Sequence, residues 1–219
     1  MSGGTGKPLR AALLALVVGL GGCASAFTSA LTSTPARLYT LTPGAPVDPT
    51  LPQVGWQLLV ETPVAPAGLD TPRIAVARTP TSIDYFADVS WTDRAPNMVQ
   101  GVLIESFEDS GKIVSVGRDT AALRSDFVLK TDLRDFQAEY TSPGAANPDR
   151  VRVRIAAKLV AMPRRTIEAG ETFEAVAPVQ GGGFAPVVEA FDTALRQVMG
   201  QMVAWALRKG AAVRPAGAG

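Results

Sequence analysis

The chain has 219 residues, 47% hydrophobic and 19% charged, with 21 Lys and Arg against 20 Asp and Glu. That composition describes one globular domain with room for a processing segment, outside the low-hydrophobicity, high-charge regime of disorder. A near-neutral chain without a basic cluster offers no electrostatic footprint for polyphosphate, so no nucleic acid is expected as a partner. With no His and one Cys it also lacks the commonest general base and transition-metal ligand, and it can form no internal disulfide.

Lys7 and Arg10 precede an apolar run from Ala11 to Leu20, and small residues then lead to Cys23. That order is the layout of a secretory signal peptide, expected over residues 1–22. The run is about half of the roughly 20 residues that a membrane-crossing helix needs. Without Lys7 and Arg10 the balance of the remaining chain is 19 basic to 20 acidic residues, a net charge of −1. Gly3-Gly4-Thr5-Gly6-Lys7 imitates the end of a phosphate-binding loop. Pro8 follows where Ser or Thr is required, and the whole piece belongs to the expected signal segment, so no nucleotide site is expected there.

Leu20-Gly21-Gly22-Cys23 resembles the lipobox of bacterial lipoproteins. The resemblance implies diacylglyceryl transfer to the Cys23 thiol, cleavage before Cys23 and acylation of the new amine. Two or three acyl chains, at about 0.8 kcal/mol per buried methylene, would anchor the chain stably. Ala24 rather than Asp after the Cys implies, by the enterobacterial sorting rule, the outer membrane with the domain facing the periplasm.

Residues 23–52 are rich in Ala, Ser, Thr and Pro, with prolines at 35, 43, 46, 49 and 52. Proline blocks helix and favours extended backbone, so this stretch reads as a tether. At about 3 Å per residue it could reach roughly 90 Å. Arg37-Leu38-Tyr39-Thr40-Leu41 alternates and is the one part of it suited to a sheet edge.

The folded domain is expected over 53–210. Strands are expected at Trp56–Glu61, Arg73–Arg78 and Ser82–Phe86, separated by Pro, Gly and Asp. Pro96 opens a helix to about Asp109, with Met98, Val102 and Phe107 on one side and Gly111 beyond its end. A short strand, Lys112–Val116, follows. Asp126–Tyr140 alternates over its whole length, and Val151–Ala157 alternates after a turn-rich connection, so the two form an antiparallel hairpin. Glu171–Val179 is a further strand. The last element runs from about Ala185 to Lys209, with Val188, Phe191, Leu195, Val198 and Met202 at helical spacing. Gly181-Gly182-Gly183 before it reads as a tight turn or hinge rather than an anion site, because no Lys, Ser or Thr stands beside the glycines. Residues 211–219 read as a flexible tail. The expected fold is therefore α+β, a mainly antiparallel sheet with two principal helices on one face.

The candidate acids are Glu105, Glu108 and Asp109 on the first helix, with Asp132 and Asp135 on the long strand. Charged helix faces at this spacing are ordinarily solvated surface. No nucleophile elbow, metal signature or nucleotide fingerprint is present. No catalytic residue, cofactor or metal is assigned, and the chain is not expected to be an enzyme.

The lipobox, the strand at Tyr39-Thr40-Leu41, the segment Leu69-Asp70-Thr71-Pro72-Arg73-Ile74, then Arg78, Tyr85 and Trp91 come in the order found in the ABC-type transport auxiliary lipoproteins, which this chain resembles over nearly its whole length. One departure is that the aromatic pair often found in the first strand is reduced to Tyr39. The resemblance implies a non-enzymatic part of an envelope phospholipid transport system, with an MCE-domain protein and ABC transporter subunits as partners. The lipoprotein would be the docking or assembly subunit at the outer membrane, with a homo-oligomeric ring among the arrangements open to it. Asp70, Pro72, Arg78 and Trp91 read as fold-determining rather than as a site. Two other readings stand beside this one: a lipoprotein assisting lipopolysaccharide or outer-membrane protein assembly, and a carboxylate-based envelope hydrolase with two convergent acids.

Overall fold

A computed structural model describes residues 35–44, 48–118, 124–142 and 144–213. Cys23, the signal segment and the first part of the expected tether lie outside the described residues. The chain divides into a leading unit through Ala36 and a compact unit from Arg37 onward. The elements of the second unit are β1 (Arg37–Tyr39), β2 (Val54–Val60), β3 (Arg73–Ala77), β4 (Asp84–Trp91), α1 (Ala95–Ser110), β5 (Ile113–Arg118), β6 (Phe127–Glu139), β7 (Arg150–Ala161), β8 (Thr166–Pro178) and α2 (Ala185–Val213). Among the described residues no helix is long and apolar enough to cross a membrane.

The architecture is α+β, as expected, but the sheet is mixed. The long strands β6, β7 and β8 form consecutive antiparallel hairpins, and β3 pairs antiparallel with β4. The pairs β1 with β4, β2 with β5, β2 with β6 and β3 with β6 are all parallel. The expectation of a mainly antiparallel sheet therefore holds for the hairpins and needs correcting for the short strands. Alternation reveals that a segment is a strand but not its neighbour, and the parallel partners here are separated by crossovers that carry no local signal. On the edge of β6 away from β7, β2 pairs with Phe127 to Leu129 and β3 with Ala138 and Glu139. Between them the chain after β2 continues the ladder: Glu61 and Val64 N–H donate to the Leu129 and Thr131 carbonyls, and Leu133 N–H to that of Val64.

Both helices end up on one side and touch each other, α2 on β6, β7 and β8 and α1 on β2 and β5. In α1, Pro96 supplies a preset φ in the first turn, and Gly111 closes the helix with φ 61, its N–H donating to the Glu108 carbonyl. Val99, Val102, Leu103 and Phe107 form its buried stripe. The helix α2 buries a wider stripe, with Phe191, Leu195, Val198, Met202 and Ala206 fully enclosed. Phe191, Trp91 and Phe136 meet ring to ring at 4.9 to 5.8 Å, joining α2 to β4 and β6 at the centre of the core.

Of the stretch expected as a tether through Pro52, the described residues from Arg37 are part of this unit. β1 pairs with β4, and Leu41 and Leu51 are buried, a contribution of about 2 kcal/mol apiece. Thr42 fixes the segment to α2, donating to the Asp192 carboxylate from both its N–H and its hydroxyl. At the other end, α2 continues to Val213, into the stretch expected as a tail. Gly181 and Gly183 both take positive φ, 110° and 88°, so the triple glycine is a tight turn before α2.

Candidate functional site

An open groove of about 1030 Å³ runs along α2. Its floor is the helix face presenting Arg196, Gly200 and Ala204, and one wall is Phe173 of β8. The small side chains at 200 and 204 are what leave the space. Phe173 is held edge to face against Trp205 at 5.6 Å, so the apolar wall is rigid. Asp48 closes part of the far side through its ion pair with Arg208, 2.9 Å long. Hydrogen bonds from the Thr50 hydroxyl and N–H lead the causes that hold the Asp48 carboxyl below the usual range, with the Arg208 charge adding to them. The groove thus offers an apolar strip flanked by Gln197, Gln201 and cationic groups. It can hold side chains of a partner.

The unpaired margins of the sheet supply further contact surface. Among the described residues β1, β5 and β8 each pair with one neighbouring strand, and they carry the exposed side chains Leu38, Val114 and Ile167. Exposed apolar groups on strand edges are features of surfaces that meet another chain.

The residues shared with the lipoprotein resemblance converge on the junction of β3, β4 and α1. Asp70 forms an ion pair with Arg94, the Thr71 carbonyl accepts from Ala95 N–H, and the Pro72 carbonyl accepts from Trp91 N–H. Trp91 is 1% exposed. These contacts give Asp70, Pro72 and Trp91 a structural role, tying the segment before β3 to the end of β4 and the start of α1. Arg73 and Arg78 instead lie with their guanidinium groups over tyrosine rings.

Glu105, Glu108 and Asp109 are all exposed on α1. Asp132 and Asp135 are half-buried on β6, and Asp135 is engaged by Arg154 of β7. Among the described residues no three of His, Cys, Asp and Glu gather as metal ligands would. The charges on this side of the sheet form a ladder. Glu139 accepts from Arg150 at 2.7 Å and Arg152 at 2.9 Å, and Arg152 also reaches Glu174 of β8. Burial alone would raise the Glu139 carboxyl, but the two arginines overcome it and hold the group below its ordinary value. Hydrogen bonding to Glu139 raises Arg152 in turn. The ladder locks register between β6, β7 and β8.

Sequence reading missed the groove. The apolar stripe of α2 was legible from the sequence, but the groove lies on its other side, at Arg196, Gln197, Gly200, Gln201, Ala204 and Arg208, and takes its wall from Phe173 of β8, which only tertiary packing supplies. Cys23, the one residue assigned a modification from the sequence, lies outside the described residues.

The structure is similar to the crystal structure of XCC0632 from Xanthomonas campestris, with 35% sequence identity and a TM-score of 0.75, covering 81% of this chain and 98% of that one. A second crystal structure, of an uncharacterized protein, shares the fold at a TM-score of 0.59 and 16% identity, over 80% of this chain and 98% of its own. An uncharacterized protein of Bradyrhizobium diazoefficiens, bll6063, is 28% identical over 153 residues, which is 68% of this chain and 38% of the relative. The chain thus spans well under half the length of that relative. Residues 39–203, from the end of β1 into α2, match the family described as ABC-type transport auxiliary lipoprotein component. Since that match takes in α1, most of α2 and all the strands between them, the chain belongs to the ABC-type transport auxiliary lipoprotein family.

Proposed function

We propose that this protein is a lipid-anchored docking subunit of an ABC/MCE-type phospholipid transport system, held at the outer membrane by acyl chains on Cys23 and facing the periplasm. The observation that carries the reading is that the family domain, residues 39–203, lies downstream of a lipobox-like Leu20-Gly21-Gly22-Cys23 with only a short Ala/Ser/Thr/Pro-rich stretch between. The anchor keeps the domain at the membrane, and the domain offers binding surfaces rather than reactive groups. The groove along α2 is the surface we assign to the MCE-domain partner, and the edge strands β1, β5 and β8 are available for contacts between copies.

The test is crosslinking in cells followed by detergent extraction, purification and mass spectrometry, with a photocrosslinker placed at Gln201 in the groove. Recovery of an MCE-domain protein or its ABC transporter subunits, crosslinked through position 201, is expected. Reproducible recovery of a β-barrel assembly or lipopolysaccharide transport partner in their place would refute the reading. In parallel, palmitate labelling of the wild type and its loss in Cys23→Ser are expected; equal labelling would remove the anchor from the proposal.

A further inference from the structure

The three open edges of the sheet are unequal. Among the described residues β1, with 3 residues, β5, with 6, and β8, with 13, each have a strand on one side only. Register fixes which groups β8 turns outward. At one end of β7, Met162 N–H donates to the Asp126 carbonyl on the β6 side; at the other, Val179 N–H donates to the carbonyl of Asp149, the residue before β7. The backbone groups of successive residues in a strand point to alternate neighbours. Both bonds therefore give one parity, in which Ile155, Val153 and Val151 face β8 and pair with Phe173, Ala175 and Ala177. The N–H and C=O groups of Gly170, Thr172, Glu174 and Val176 point away from β7. Pro178 comes next in that outward series, where a residue without an N–H forfeits no bond to β7.

Open edges in natural sheets are commonly blunted by lysines or bulges. From Ala169 to Pro178, β8 carries no lysine, and its register with β7 is unbroken over that length. The same strand borders the α2 groove through Glu171 and Phe173. An extra strand laid along β8 would send alternate side chains into the groove, beside Phe173 and over Gly200 and Ala204, and the others to the open face of the sheet. Charge then selects among strands. Glu168, Glu171 and Glu174 stand along β8, so edge-to-edge pairing with the β8 of another copy would oppose like charges. In the groove, Arg208 is engaged by Asp48. Among the described residues Arg196 and Lys209 make no ion pair, which leaves two cations against the carboxylate of Glu171.

We propose that the outer edge of β8 is a strand-addition site, on which an extended segment of the transport partner pairs with Gly170, Thr172, Glu174 and Val176 and turns a carboxylate into the groove toward Arg196 and Lys209. Main-chain hydrogen bonds supply the attachment, and the groove selects small or apolar groups and an acid on the inward side of the segment. A stretch of about seven residues, roughly 23 Å long, covers the four outward positions. This deepens the docking role assigned to the groove above and rests on it, and it leaves β1 and β5 as the edges for contacts between copies.

The experiment uses the full-length protein in cells, with the photocrosslinker at Gln201, and compares wild type with Thr172→Pro, Val176→Pro, Arg196→Gln and Lys209→Gln, thermal melting of each purified protein verifying that it is folded. The two Pro changes remove N–H groups that face away from β7, so the β7 ladder stays whole while the added strand loses a donor. Each is expected to lower the crosslinked yield about tenfold, and each Gln change about threefold, as for a partly exposed charge pair. Hydrogen exchange on the wild type requires no variant: the amides of Thr172, Glu174 and Val176 are expected to exchange fast in the free protein and at least tenfold more slowly in the recovered complex. An unchanged yield in folded Pro variants, or no slowing of these amides, would overturn strand addition while leaving the docking of a partner in the groove intact. Capture of a protein outside the transport system, with the same losses and the same slowing, would keep the strand-addition site and refute the docking role. A second copy of this chain as the captured species, or no crosslink from Gln201 at all, would overturn both.

Discussion

Replacing Gly210 with Ala tests the packing of α2 at a position where helix propensity and tertiary contact make opposite predictions. In an exposed helix interior the change would stabilise by about 1 kcal/mol. Here a Cβ at 210 would lie 2.4 Å from Trp56 Cζ2 and 2.8 Å from Cε2, about 1 Å inside an ordinary carbon contact of about 3.5 Å. Trp56 cannot swing aside: it is 3% exposed and packs edge to face on Phe127 at 5.0 Å. Overpacking a rigid core costs about 1–3 kcal/mol. An overlap with ring atoms belongs at the upper end, so the net loss is about 2 kcal/mol. For a domain of this size that lowers the melting temperature by about 4–8 °C. Thermal and urea unfolding of Gly210→Ala, Trp56→Phe and the double variant measure it. The smaller ring removes the clashing atoms, so Gly210→Ala should be neutral or stabilising in the Trp56→Phe background, giving a coupling of at least about 1 kcal/mol. A rise in stability for Gly210→Ala alone, or simple additivity of the two changes, would refute the argument.

The charge ladder makes a prediction with a sign in pH. Because the folded-state pKa of Glu139 is depressed, its contribution is fully present above the ordinary glutamate pKa of about 4.3 and is lost as pH falls through the lower folded value. Glu139→Gln should therefore cost about 1 kcal/mol at neutral pH, with the gap to wild type constant down to about pH 5 and closing below about pH 4; urea unfolding across that range measures it, and a constant gap at all pH would show that the charge is not responsible. Trp91→Ala removes the indole that packs on Phe136 and Phe191 and should cost about 4 kcal/mol, read as a large drop in urea midpoint; a loss under about 1 kcal/mol, ordinary for a surface change, would contradict its central place in the core.

The strands and helices were legible because each carries its own periodicity. Alternation along β6 and β7 announced the long hairpin, and the spacing from Phe191 to Met202 announced α2, since burying one face imposes a local repeat. Boundaries were less so: β4 continues to Trp91 and β8 begins at Thr166, where pairing across the sheet, rather than alternation, sustains the strand. The last helix was expected to end at about Lys209, yet it runs on to Val213, with Gly210 inside it packed against Trp56, a contact that leaves no local repeat to read.

By itself, then, the sequence determined the α+β class, the core-facing stripe of each helix, the family resemblance and the expected modification at Cys23. Only the tertiary structure decided which strands are parallel neighbours, that Leu41 and Leu51 are drawn into the core, and that Arg73 stacks on Tyr85 and Arg78 on Tyr140. The physical reason is range. Periodicity and turn chemistry act over a few residues, whereas pairing of β2 with β5, stacking of Arg78 on Tyr140 and the wall that Phe173 lends to α2 join segments that only the folded chain brings together.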